Sequence, residues 1–186
     1  LASLRCIPNL TVIRPADASE TAEAWRVALQ HRDGPVALVL TRQKLGFIDR
    51  TTYASAAGVA RGAYVLHDAA DPAVVLISTG SEVALALDAA RKLEEEGIAA
   101  RVVSMPSMEL FAKQDAAYRA AVLPAGVPRV AIEAAHPMPW WRVVGDGGVV
   151  LGLERFGASA PYQRIYQELG LTVEKLVEAA RGVARR

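Results

Sequence analysis

The chain alternates between short aliphatic or β-branched runs and longer stretches with apolar residues at helical spacing, which is the pattern of an α/β protein. Leu10-Thr11-Val12-Ile13 lies between Pro8-Asn9 and Pro15 and reads as a strand. Asp17-Ala18-Ser19-Glu20 has the capping-box layout, an N-cap residue with a glutamate three positions later. Ala22, Trp25, Val27, Ala28 and Leu29 then supply the apolar face of a helix that runs to about Gln30. Asp33-Gly34-Pro35 breaks this helix, and Val36 to Thr41 is continuously apolar, as in a buried parallel sheet. Strand, helix and strand make one βαβ unit.

Residues 43–61 hold no period and read as a linker, with a domain boundary near residue 55. A second series follows. Ala63 to Leu66 and Ala73 to Ser78 read as strands, and Thr79-Gly80-Ser81-Glu82 opens an alanine- and leucine-rich helix that Gly97 stops. Ala100 to Ser104 is the next strand, Ser107 caps a helix through Ala112, and a further helix covers Asp115 to Val122. Arg129 to Glu133 and Val149 to Leu153 supply two more strands, and Thr172 caps a last helix, Val173 to Ala184. The segment from Glu178 to Arg186 reads as an amphipathic helix fraying into basic residues. The start is abrupt, with no initiator Met and a strand within ten residues, so the chain reads as a truncated piece.

Composition narrows the function classes. With 186 residues, 52% of them hydrophobic, the chain can hold one full domain or one domain and part of another. A formal charge of +1 offers no basic field for a phosphate backbone, which argues against nucleic acid. No apolar run reaches the ~20 residues of a membrane span. Cys6 is the single cysteine, so no internal disulfide can form and a cytoplasmic location fits.

Few residues carry candidate chemistry. Ligands of open α/β sheets sit beyond the carboxyl ends of the strands, and Arg42 directly follows the run ending at Thr41. Its planar guanidinium suits phosphate or carboxylate, although a surface arginine paired with a nearby acid is the plainer reading. Gly145-Asp146-Gly147 resembles the opening of a metal–diphosphate motif that also needs an asparagine about thirty residues later. Asn9 is the chain's one asparagine and lies upstream, so the tripeptide reads as a tight turn and no metal is assigned. The Thr79 to Glu82 turn could offer backbone amides to an anion, but such a turn needs glycine and a cap for structural reasons alone. His31, His67 and His136 lack metal-ligand spacing, Cys6 has no flanking base, and Trp140-Trp141 reads as a loop anchor or subunit contact.

Several stretches together resemble the transketolase family. They are Ile7-Pro8-Asn9-Leu10 leading to Ile13-Arg14-Pro15-Ala16-Asp17, Leu40-Thr41-Arg42-Gln43, Ser78-Thr79-Gly80-Ser81-Glu82-Val83, Val103-Ser104-Met105-Pro106-Ser107, and Arg155-Phe156-Gly157-Ala158-Ser159-Ala160-Pro161. The resemblance implies that residues 1–55 end a pyrimidine-binding domain, a βαβ remnant of the thiamine-diphosphate-binding fold. Residues 56–186 would then be the family's C-terminal domain, a three-layer α/β/α unit with a five-stranded mixed, mostly parallel sheet. It implies a homodimer that uses thiamine diphosphate and magnesium to transfer two-carbon ketol units between sugar phosphates in the pentose phosphate pathway. The catalytic and cofactor residues are expected upstream of Leu1, so the piece alone is expected to be inactive and to bind no cofactor. Of the family's substrate residues, only the phosphate-binding arginine maps here, onto Arg42. Lys44 and Gly46 depart from the family's commoner residues after the Arg-Gln pair. A non-catalytic association or regulatory module, or a split subunit, is the alternative.

Overall fold

In a computed structural model, which describes residues 1–184, two sheets share one core. The smaller sheet pairs β1 (Thr11–Ile13) with β2 (Val36–Leu38) in parallel, and α2 (Ala18–Gln30) crosses between them. A short helix, α1 (Ala2–Arg5), precedes this unit. The larger sheet has five strands in the order β3-β5-β4-β6-β7, formed by Tyr64–His67 (β3), Ala100–Ser104 (β5), Val74–Ser78 (β4), Arg129–Ile132 (β6) and Val149–Leu151 (β7). Only β3 runs antiparallel to its neighbour; the other pairs are parallel.

Both faces of the larger sheet are covered, because its central strand β4 is apolar and buried from Val74 through Ile77. Along β4, Val74 and Leu76 join one apolar cluster while Val75 and Ile77 join the other. The first cluster is completed by α3 (Val83–Glu95) and α8 (Val173–Ala184). The second is completed by α4 (Met108–Ala112), α5 (Ala116–Val122) and α6 (Trp141–Val144). Each fully buried aliphatic side chain contributes roughly 1.5–3 kcal/mol, so this three-layer unit holds most of the stabilisation. The N-terminal unit is not a separate body, since Ile13, Ala16 and Ala24 lie in the first cluster with the residues of α3 and α8.

Asp17 and Ser107 cap where the sequence places them, while Thr79 makes no cap bond and donates its hydroxyl to the Arg14 carbonyl instead. Asp17 accepts from the Glu20 amide at the start of α2, Ser107 from the Leu110 amide, and Asp115 from the Tyr118 amide. The interval 43–61 is more ordered than a linker: Asp49 organises a turn through Thr51 and Thr52, and residues 56–61 form a 3-10 helix ending at Gly62. Between β7 and α8, the helix α7 (Tyr162–Glu168) follows an exposed loop. The basic pair Arg185-Arg186, expected to fray, lies outside the described residues.

Candidate functional site

β2 ends at Leu38, earlier than the apolar run suggests, because its partner offers only three residues. After Ile13, β1 leaves the sheet at Arg14-Pro15, and proline has no amide to continue a ladder. One further bond, from the Val39 amide to the Ile13 carbonyl at 2.9 Å, carries the chain outward. Arg42 therefore sits four residues beyond the strand, on a bend. It is exposed and makes no hydrogen bond or ion pair with any other described residue. It lines a cleft of about 320 Å³ together with Arg14, Thr41, Gln43, Ser81 and Tyr166. The guanidinium thus lines the cleft with its donors unspent.

Beneath this cleft lies a charge cluster that the sequence did not reveal. Arg14 donates to Glu82 at 2.6 Å, to the Thr79 carbonyl at 2.7 Å and to the Ser81 hydroxyl at 3.1 Å. In return, the Arg14 carbonyl accepts from the Gly80 amide and the Thr79 hydroxyl. Glu82 is fully buried and accepts four hydrogen bonds, from Arg14 and the Ala134 amide on one oxygen and from Ser81 and Tyr166 on the other. Burial pushes its carboxyl up, but the Arg14 charge and these donors outweigh burial and hold it below the ordinary glutamate range. Burial and the neighbouring Glu82 raise the Tyr166 phenol, so it stays a neutral donor. Glu133, at the carboxyl end of β6, forms a two-pronged pair with Arg5 at 2.8 and 3.0 Å and accepts from the Trp140 indole at 2.8 Å.

The Thr79 to Glu82 turn thus grips Arg14 through both its side chain and its carbonyl. A second polar cluster ties α2 to the larger sheet. Glu20 accepts from the Tyr64 hydroxyl, the Ser104 hydroxyl and the Ala16 amide, and Asp17 pairs with Arg50. Burial raises the Glu20 carboxyl, against the pull of those hydrogen bonds.

The other sequence candidates are dispersed. Gly145 to Gly148 forms a turn closed by a 3.1 Å backbone bond, with Asp146 exposed on it. Asn9 stands before β1, so these residues do not fit a metal–diphosphate group. Among the described residues, no group of three His, Cys, Asp or Glu could hold a metal ion. His67 pairs with Glu94, and His136 accepts from the Met138 amide. Trp140 is buried as a loop anchor, while Trp141 is half exposed. Among the described residues no helix is long and apolar enough to cross a membrane.

Residues 62–172 match the Transketolase-like TK C-terminal domain, and residues 1–47 match the Transketolase, pyrimidine binding domain. The chain belongs to the transketolase family. The plasmid-encoded transketolase of Cupriavidus necator is 54% identical over 180 residues, covering 97% of this chain and 27% of that protein. A transketolase from Pichia stipitis, solved in complex with sedoheptulose-7-phosphate, superposes with a TM-score of 0.91 at 36% identity over 99% of this chain and 26% of its own. A split-gene transketolase, described as an inactive beta4 tetramer, superposes with a TM-score of 0.76 at 26% identity, covering 100% of this chain and 61% of its own. The chain thus spans about 27% of the length of its curated transketolase relatives. The mixed five-stranded sheet and the small parallel remnant are the fold that the family resemblance implied.

Proposed function

We propose that the chain is the C-terminal part of a transketolase, which transfers a two-carbon ketol unit from a ketose phosphate to an aldose phosphate in the pentose phosphate pathway. The observation that carries this reading is Arg42, an exposed guanidinium with no partner among the described residues, lining a cleft beyond the carboxyl end of a parallel strand. In that role Arg42 holds the phosphate of the sugar, remote from the reacting carbonyl. The Pichia stipitis relative, solved with a sugar phosphate, supports the substrate class. We place the division between the pyrimidine-binding end and the C-terminal domain at residues 55 and 56, within the stretch that neither family match covers.

In such an enzyme thiamine diphosphate, with magnesium, supplies the carbon–carbon bond chemistry. The residues present do not fit that group, so its ligands and the catalytic residues belong to upstream parts of a cytoplasmic, homodimeric protein. The chain by itself is then inactive, and calorimetry with thiamine diphosphate and magnesium should give no heat of binding; micromolar affinity would sink that claim. A split subunit is the second reading, favoured by the split-gene relative, and the reading frame upstream of Leu1 decides between the two.

The direct test is Arg42→Ala in the intact polypeptide. A charge-assisted contact of this kind is worth roughly 1.5–3 kcal/mol, or about one to two decades in binding. The apparent Michaelis constant for phosphorylated sugars should rise by that factor with turnover nearly unchanged, while a short unphosphorylated donor is spared. Arg42→Lys should recover only part, because an ammonium loses the two-pronged geometry. Equal losses on both donor types would rule out phosphate binding.

A further inference from the structure

A cleft larger than that of Arg42 lies elsewhere, between α1, α4, α5 and the turn leading into α6, and the two share no lining residue. Its volume of about 780 Å³ suits a small organic ligand. Its lining has two properties that occur together nowhere else in the described residues. The first is sulfur: Met105, Met108 and Met138, which are all the methionines of the chain, line it together with its single cysteine, Cys6. Thioethers are polarisable, adapt their shape and make favourable contacts with aromatic rings.

The second property is unbalanced positive charge. Arg5 is neutralised by Glu133, but Arg119, Arg129 and Arg142 also line the cleft, and none of them has a carboxylate partner among the described residues. Arg129 spends its donors on the carbonyls of Val143, Leu123 and Pro124. Burial pulls its guanidinium below the ordinary arginine range, with no acid opposing that pull. Arg119 donates only to the Ala112 carbonyl, and Arg142 has no partner among the described residues. The one carboxylate of the lining, Glu109, already accepts from the Val12 amide and the Ser107 hydroxyl. Three cations facing one engaged anion across a methionine floor favour a ligand that brings negative charge and a flat apolar body.

We propose that this cleft is a binding site for a small aromatic anion, its ring against Met108 and Met138, with Met105 buried behind them, and its charged end toward Arg119 and Arg142. A neutral ligand would leave the guanidinium groups uncompensated, and a bare inorganic anion would leave the sulfur surface wet. The site is independent of the transketolase reading and of Arg42.

The test uses the whole chain labelled with methyl-13C methionine, which places every reporter in the cleft. Titration with 4-phenylbutyrate should shift all three methyl signals together and to saturation. The neutral isostere 4-phenylbutan-1-ol, and acetate, should each bind at least about tenfold more weakly, the effect of one lost charge-assisted contact. The double variant Arg119→Gln/Arg142→Gln should weaken 4-phenylbutyrate by a similar factor with an unchanged melting midpoint, since both side chains are exposed. Three results would overturn the proposal: no saturable shift, equal affinity for the alcohol or in the double variant, or methyl signals that move with protein concentration alone. The last would show that a second copy of the chain covers the cleft.

Discussion

Glu82 is the residue on which the two halves of the molecule converge. Its carboxylate receives four donors on two oxygens, which only the ionised form can accept in full. Removing one partner from a buried ion pair costs on the order of 3 kcal/mol, and Glu82→Gln should lower the urea midpoint of the chain accordingly. The effect should also depend on pH in a defined direction. The folded carboxyl titrates below the ordinary value of 4.5, so its contribution is fully present above that value and is lost as pH falls through the lower one. The stability gap between the parent chain and Glu82→Gln should be widest near neutral pH and close on acidification; a gap that stays constant from neutral to pH 3 would refute the assignment. The place of Arg42 beyond the first parallel pair was legible in the sequence because position after a strand is a local property. Arg14 and Glu82 were not, because 68 residues separate them and each has a sufficient local reading. One looks like a strand-end residue and the other like the last member of a capping layout.

The elements divide along the same line. The five strands and the longer helices of residues 63–184 follow from continuous apolar runs and helical spacing, and the caps at Asp17, Ser107 and Asp115 follow from side-chain chemistry that acts within three residues. The short pieces α1, α6 and α7 and the 3-10 helix at 56–61 carry no period long enough to register; packing, not propensity, sets them. Gly62 shows what tertiary context adds. Both Gly62 and Gly97 have positive φ, at +83° and +77°, but a Cβ on Gly97 would meet open space. One on Gly62 would come within 2.2 Å of the Phe111 amide nitrogen and 2.4 Å of the Ser107 carbonyl, backbone atoms that cannot turn aside. Gly97→Ala should therefore cost only the left-handed strain, about 1–2 kcal/mol. Gly62→Ala should add roughly 1–3 kcal/mol of overpacking. Denaturant midpoints of the two variants measure the difference, and equal midpoints would show that α4 shifts freely.

For the molecule as a whole, the issue is what holds a two-stranded sheet that could not stand alone. Its outer side is poorly covered: Trp25, Leu29, Leu40 and Phe47 are each at least half exposed, and β2 is only half-buried along its length. Its inner side is fastened at β1. The Arg14 amide bonds to the Pro106 carbonyl, the Gly80 amide bonds back to the Arg14 carbonyl, and the Arg14–Glu82 pair closes the joint. The start of α2 is fastened through Glu20 to Tyr64 and Ser104. Protection from hydrogen exchange should therefore split the N-terminal unit across its own βαβ fold, not at the boundary near residue 55. Amides of β1 and of the first turn of α2 should open only with the larger sheet, at the global unfolding free energy. Those of β2 and of the last turn of α2 should open earlier, by a local step with little dependence on denaturant. In Glu82→Gln the joint is weakened, so β1 should leave the global group and exchange with β2 while β4 and β6 keep their rank. Native-state exchange along a urea series resolves the two groups. If β1 already opens with β2 in the parent chain, the polar joint does not carry the N-terminal unit, and the shared packing of Ile13, Ala16 and Ala24 against the core would be left as its main attachment.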